Sequence, residues 1–162
     1  MNLSKLYNIQ GGLDYHIGKE KGFIEGENMD WKVLALHTEI GELANEWRGF
    51  KKWSNDQEPR REKMLEEYVD CLHFVLSIGL EKGYRLSYSN IASMKADSIT
   101  EQFNALFRKV GDFSQFRTIG NYNTIFDLFL SLGEMLGFTE DEIEEAYLAK
   151  NKINHNRQLT GY

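Results

Sequence analysis

Across 162 residues the chain has one proline, Pro59, and one cysteine, Cys71. A lone cysteine cannot close an internal disulfide, and Cys71 lies in an apolar helical run where a reduced, buried thiol is expected. No apolar run approaches the roughly 18 residues that span a bilayer. The N-terminal MNLSKLYNIQ lacks the basic-then-apolar pattern of a secretory signal. No stretch alternates apolar and polar residues as a half-buried strand would. Internal repeats, low-complexity tracts and an interdomain linker are missing too, as is any His or Cys cluster with zinc spacing, since His37 and His73 lack partners in sequence. Together these absences predict a soluble, cytoplasmic protein of one domain covering 1–162, with no membrane partner. A net charge of −6 argues against broad phosphate-backbone binding, so nucleic acid is not an expected partner.

What is present is helical periodicity over almost the whole length. Hydrophobic content of 41% and aromatic content of 13% are those of a chain that buries a core. Leu3, Leu6, Ile9, Leu13 and Ile17 mark a first helix, weakened by Gly11 and Gly12. Gly18–Asn28 reads as a loop. Asp30 to Gly49 forms a second helix and Gly49–Glu58 a connection. Pro59 suits the first turn of a third helix that runs to about Lys82. Leu86–Lys95 is a candidate short helix. Ser98-Ile-Thr-Glu101 and Thr139-Glu-Asp-Glu142 are capping boxes that open two further helices, with another over Tyr122–Leu136 that Gly137 stops. The expected fold is an all-α helical bundle.

The second helix carries the unusual feature. Met29, Val33, Leu36, Ile40, Leu43, Ala44 and Trp47 share one face, while Glu39, Glu42 and Glu46 line up beside that face instead of opposite it. Like charges at this spacing repel unless a cation lies among them, and the helix offers only Lys32 near its start and Arg48 at its end. The third helix adds Glu67 and Asp70. From Val69 to Leu80 (VDCLHFVLSIGL) Asp70 is the only formal charge in a helix apolar on nearly every side. A single Glu-x-x-Glu is ordinarily a solvated face, but an isolated carboxylate in an interior helix is costly. If the two helices pack antiparallel, Glu39, Glu42, Glu67 and Asp70 converge. An all-oxygen set of this kind suits Mg²⁺ with substrate phosphates completing the shell. On the last helix Tyr147, Lys150, Asn151, Asn154, Arg157 and Gln158 fall within about one third of the circumference, a cationic and amide stripe suited to phosphate oxygens. Favourable helix-dipole placement explains its charges but not its aligned amides.

Glu39-Ile-Gly-Glu42 followed by Glu67-Tyr-Val-Asp70 resembles the ExxE…ExxD signature of the all-α, MazG-like nucleoside triphosphate pyrophosphohydrolases. The segments LALHTEIGELANEWRGFKKWS, EEYVDCLHFVLSIGLE and KNKINHNRQLTGY resemble the dimeric, all-α dUTPases of bacteria and phages, and the resemblance spans nearly the whole chain. It implies a homodimer that hydrolyses dUTP to dUMP and pyrophosphate, with Mg²⁺ on Glu39, Glu42, Glu67 and Asp70. One of these carboxylates, Glu39 or Glu42, would activate the attacking water, and Glu46 would lie just outside the ligand set. The resemblance also implies that Phe74 stacks on uracil, Gln10 reads the base edge and His73 lies near the sugar. Lys150, Asn154 and Arg157 would hold phosphates, with Tyr147 and Gln158 beside them, and Lys51 and Trp53 would come from a mobile loop. Some phage relatives bind repressor proteins, which makes a repressor a candidate partner. Two other functions fit the same residues: a related pyrophosphohydrolase acting on dCTP or damaged nucleotides, and a helical interaction module whose acids meet a basic partner.

Overall fold

The computed structural model describes residues 1–24 and 26–161, with Tyr88 described in its backbone only. Among these residues there are six α-helices and no strand: α1 Leu3–Lys21, α2 Met29–Trp47, α3 Arg61–Lys82, α4 Ile99–Gln115, α5 Ile119–Met135 and α6 Glu140–Thr160. None of them is long and apolar enough to cross a membrane.

α3 is the centre of the bundle, packed against α1, α2, α5 and α6, while α4 pairs with α5 and touches α2. This follows from its sequence, because a helix apolar on every side loses most by facing water. Tyr68, Val69, Cys71, Leu72 and Leu76 are fully enclosed. α2 and α3 run antiparallel. The Arg60 N–H donates to the Glu46 carbonyl at one end (3.0 Å), and Lys32 meets Glu81 at the other (2.7 Å). That pairing sets the two acidic motifs side by side.

The helix ends follow capping chemistry. Thr139 and Glu142 form a reciprocal capping box on α6, Ser98 accepts from the Glu101 N–H on α4, and Thr118 caps α5. α2 stops at Arg48, whose φ of 65° is left-handed and unusual outside glycine. Its guanidinium is tied to the Asp56 carbonyl (2.6 Å) and carboxylate (2.8 Å), which holds the turn.

Four boundaries differ from the sequence expectation. α1 continues through Gly18 to Lys21 before Gly22 caps it with φ 72°, so the expected loop is shorter. Pro59 precedes the N-cap residue Arg60 and is not in the first turn of α3. α5 begins at Ile119, three residues before Tyr122. Leu86–Lys95 is not a helix beyond a 3₁₀ turn at Tyr88–Asn90. Its backbone is claimed by side chains instead. The Ala92 N–H donates to Asp127 (2.9 Å), the Met94 N–H to Ser131 (2.8 Å), and the amide of fully buried Gln102 donates to the Met94 carbonyl (2.9 Å). These bonds replace the helical ladder.

Two glycines let tyrosines lie against the helices. A Cβ on Gly79 would overlap the Tyr122 hydroxyl and sit 2.8 Å from the Tyr84 carbonyl, and one on Gly133 would overlap Tyr68. Tyr122 donates to the Val75 carbonyl (3.0 Å) and Tyr68 to the Phe129 carbonyl (3.1 Å), so neither ring can withdraw cheaply. Gly79→Ala is therefore expected to destabilise the fold by about 2 kcal/mol through overpacking. A urea midpoint lowered without a change in slope is the measurement that checks it.

Candidate active site

Glu39 on α2 and Glu67 and Asp70 on α3 each place a carboxylate oxygen within 4.8 Å of the others. All three are half-buried. Burial, followed by the charges of Asp70, Glu42 and Glu67, pushes the Glu39 carboxyl up to about 7. Burial and its acidic neighbours raise Glu67 as well. Asp70 is raised by burial, although Lys150 opposes the rise. Glu42 is exposed, one turn along α2, and stands outside the trio while still acting on Glu39 and Glu67 through its charge. Glu46 meets Arg60 at 3.4 Å. Crowded, half-buried oxygen donors with a deficit of positive charge fit a hard divalent cation. The positive charge at hand is Lys150 of α6, 2.6 Å from Asp70 and 3.0 Å from Glu66.

A cavity of 1190 Å³ opens beside the trio, between α1, α2, α3 and α6. Asp70, Phe74, Ser77 and Glu81 mark successive turns of α3 along its wall, a run of about 16 Å at the helical rise. Gln10, His73, Phe74, Asn154, Arg157 and Gln158, all expected site residues, line it with Glu39 and Asp70. Arg157 lies 3.2 Å from the Asn154 carbonyl oxygen of the side chain, to which it donates.

Gln10 is 3% exposed and fully engaged at its carbonyl, which accepts from the Tyr147 hydroxyl (2.8 Å) and from His73 Nδ1 (2.7 Å). Its amide nitrogen donates to Asp14 (2.7 Å). A reversed amide would set oxygen against the Asp14 carboxylate, so Asp14 fixes the Gln10 orientation and Gln10 fixes the proton of His73 on Nδ1. Burial and the nearby Lys150 push His73 down to about 3, keeping it neutral. Its Nε2 is a buried acceptor without a protein partner. Tyr147 is fully enclosed and stacks on the His73 ring at 4.2 Å, so it acts on the cavity through Gln10 and His73.

Lys51 and Trp53 are not brought to this cavity. They lie in the α2–α3 connection, where Trp53 is 76% exposed and packs edge-on against Phe50. Conversely, the cavity wall includes Asp14, Lys32, Ser77 and Glu81, none of which stood out as a site residue in the sequence. Lys32, the one cation at the start of α2, was a visible signal. The pairing of Asp14 with Ser77 (2.7 Å) joins positions 63 apart and carries no local signature.

A family model described as dUTPase matches residues 2–162. The chain belongs to the dUTPase family. A search of curated proteins returns no match. The enzyme is a dUTP diphosphatase, and membership implies a divalent metal, for which the carboxylate trio is the fitting donor set.

The trio sets a pH dependence in the metal-free protein. Glu39 holds its proton in the fold from its ordinary 4.5 up to about 7, while the unfolded chain releases it. The native state thus binds more protons in that window, and stability falls as pH rises through it. Thermal unfolding in EDTA should show a melting temperature that drops between pH 5 and pH 7. Glu39→Gln should flatten that slope, and a divalent cation added at pH 8 should restore the wild-type value by binding the folded form.

Proposed function

We propose that this dUTPase cleaves dUTP to dUMP and pyrophosphate by attack of water, with Mg²⁺ held by Glu39, Glu42, Glu67 and Asp70. The whole chain serves as one catalytic domain. The observation that carries this is the crowding of three half-buried carboxylates at one end of a cavity long enough for a nucleotide. When bound, the ion neutralises charge on the leaving pyrophosphate and acidifies water. The protein's part is positioning and proton handling.

Glu39 is the proposed general base, since it stands across from Glu67 and Asp70 and lines the cavity that would hold the nucleotide. Glu42 is the second choice for that role. Lys150, Asn154 and Arg157 would take the phosphates, with Gln158 beside them. Lys150 has to leave Asp70 to do so, and Glu66 offers it a second partner at 3.0 Å. Phe74, half-buried one turn beyond Asp70, would stack on the uracil. The neutral His73 Nε2 would accept from the sugar hydroxyl. Gln10 has its carbonyl occupied, which leaves one amide N–H for the base. Lys51 and Trp53 would close the α2–α3 connection over the bound nucleotide. The active form is taken to be a homodimer in the cytoplasm, in which exposed Leu34, Phe116 and Ile119 supply apolar surface for assembly.

The deciding measurement is product analysis on dUTP, the other dNTPs and UTP, with Mg²⁺ or EDTA. Mg²⁺-dependent formation of dUMP and pyrophosphate is the expected outcome. Glu42→Gln and Asp70→Asn should each lower kcat by about 10²- to 10³-fold, the range for lost electrostatic stabilisation, with unchanged circular dichroism. Near wild-type turnover in both variants would remove the metal assignment.

A further inference from the structure

α1 and α6 lie side by side and run in the same direction. Lys5 meets Glu144 (2.7 Å), Gln10 meets Tyr147 (2.8 Å), and His16 meets His155 near the C-terminal ends of both helices. The two half-buried imidazoles face each other through Nδ1 atoms 2.8 Å apart, with ring centroids at 5.1 Å. The pair takes no part in the metal and phosphate assignments. Beyond it α6 continues to Thr160, and Arg157 and Gln158 on that last turn line the cavity.

A hydrogen bond from Nδ1 to Nδ1 dictates the protonation of both rings. A neutral imidazole has one N–H and one lone pair, so one ring holds its proton on Nδ1 and the other on Nε2. A first added proton goes to the free Nε2 of the donor ring and leaves the bond intact, now assisted by charge. A second can go only to the accepting Nδ1. It removes the acceptor, sets two cations against each other and breaks the contact. Burial, followed by the charge of His16, holds His155 below the ordinary 6.5, which makes His155 the ring that resists the second proton. The fold therefore binds fewer protons here than the unfolded chain does. This contribution to stability is present above pH 6.5 and lost as pH falls through the lowered value.

The surrounding charges have other engagements. On α1, Asp14 accepts from Gln10 and Ser77, Lys19 and Lys21 line the cavity, and Glu20 is exposed. On α6, Lys152 is exposed and Arg157 donates to Asn154. α3, which packs on both helices, contributes Asp70 tied to Lys150, Glu81 tied to Lys32, and the neutral His73. The charge that bears on His155 is that of His16.

We propose that His16 and His155 form a latch that holds the last turn of α6 against α1 and so positions Arg157 for the phosphates, and that acid opens it. The use of Arg157 rests on the function proposed above. Helix ends fray unless they are tied down, and the latch ties α6 two residues before Arg157. Neither histidine lines the cavity, so both are positioning residues.

The test compares wild type with His155→Asn and His155→Leu at pH 8 and pH 5.5. An asparagine amide can take the place of Nδ1 and pair with His16 without titrating, whereas leucine cannot pair at any pH. In metal-free protein at pH 5.5, amide exchange of residues 157–160 should be about tenfold faster in wild type than in His155→Asn, and alike in the two at pH 8. With Mg²⁺ at pH 5.5, KM for dUTP should be about tenfold higher in wild type than in His155→Asn, as loss of one charged hydrogen bond implies, with kcat alike within about threefold. His155→Leu should show the raised KM already at pH 8. Equal exchange and equal KM in wild type and His155→Asn at pH 5.5 would overturn the latch. A difference in exchange with none in KM would refute the positioning of Arg157. Should the variants not fold, the ¹⁵N spectrum of the wild-type histidines decides. One ring protonated on Nδ1 and the other on Nε2 is expected at pH 8, and two Nε2–H rings would exclude the pair. Exchange and tautomers are read without substrate, so a failure to hydrolyse dUTP leaves them standing and sinks only the proposed reaction.

Discussion

Carboxylates held close together in a half-dry environment are the constraint on which the rest of this structure depends. Glu39, Glu67 and Asp70 would each be more stable in water, and their mutual repulsion adds to the cost of burial. The fold keeps them together because the α2–α3 pair is locked elsewhere. The enclosed stripe of Val33, Leu36, Ile40 and Leu43 packs on α3, and the ion pairs Glu46–Arg60 and Lys32–Glu81 sit near opposite ends of the helix pair. Hydrophobic burial along two helices outweighs the electrostatic penalty at their middle. The result is a preorganised cluster whose stability improves when positive charge arrives.

Lys150 is the internal answer to that demand, and an incomplete one. One ammonium shared between Asp70 and Glu66 lowers the cost at Asp70 but leaves Glu39 raised to about 7. Its position on α6, one turn before Asn154 and two before Arg157, ties the acidic trio to the cationic stripe. On the function proposed above, the same lysine would neutralise a carboxylate in one state and a phosphate in another. That exchange would link substrate arrival to the release of Asp70.

Much of this was legible in the sequence because it is written at helical spacing. The Glu39–Glu42 and Glu67–Asp70 pairs, the uncharged surroundings of Asp70 and the Lys150–Arg157 stripe are local patterns, and the bundle turns Glu39, Glu67, Asp70 and Lys150 inward while Glu42 stays exposed. The irregular stretch after Leu86 was not legible, since Asp127, Ser131 and Gln102 claim its backbone from distant helices. Asp14 and Ser77 were hidden for the same reason, as each is an ordinary polar residue until α1 and α3 bring them together. Lys32 marks an intermediate case. Lys32 stood out by sign on an acidic helix while Glu81 did not, and only antiparallel packing turns the two into a buried pair.

Gln10 joins the two ends of the cavity into one device. Its amide is oriented by Asp14, its carbonyl sets the tautomer of His73, and Tyr147 fixes the same carbonyl from α6. The Asp14 charge therefore determines which nitrogen of His73 is left as an acceptor. Only one orientation of the Gln10 amide serves Asp14, His73 and Tyr147 together. A substrate that disturbs Asp14 would disturb His73 as well. Asp14 on α1 and His73 on α3 are then coupled through side chains alone.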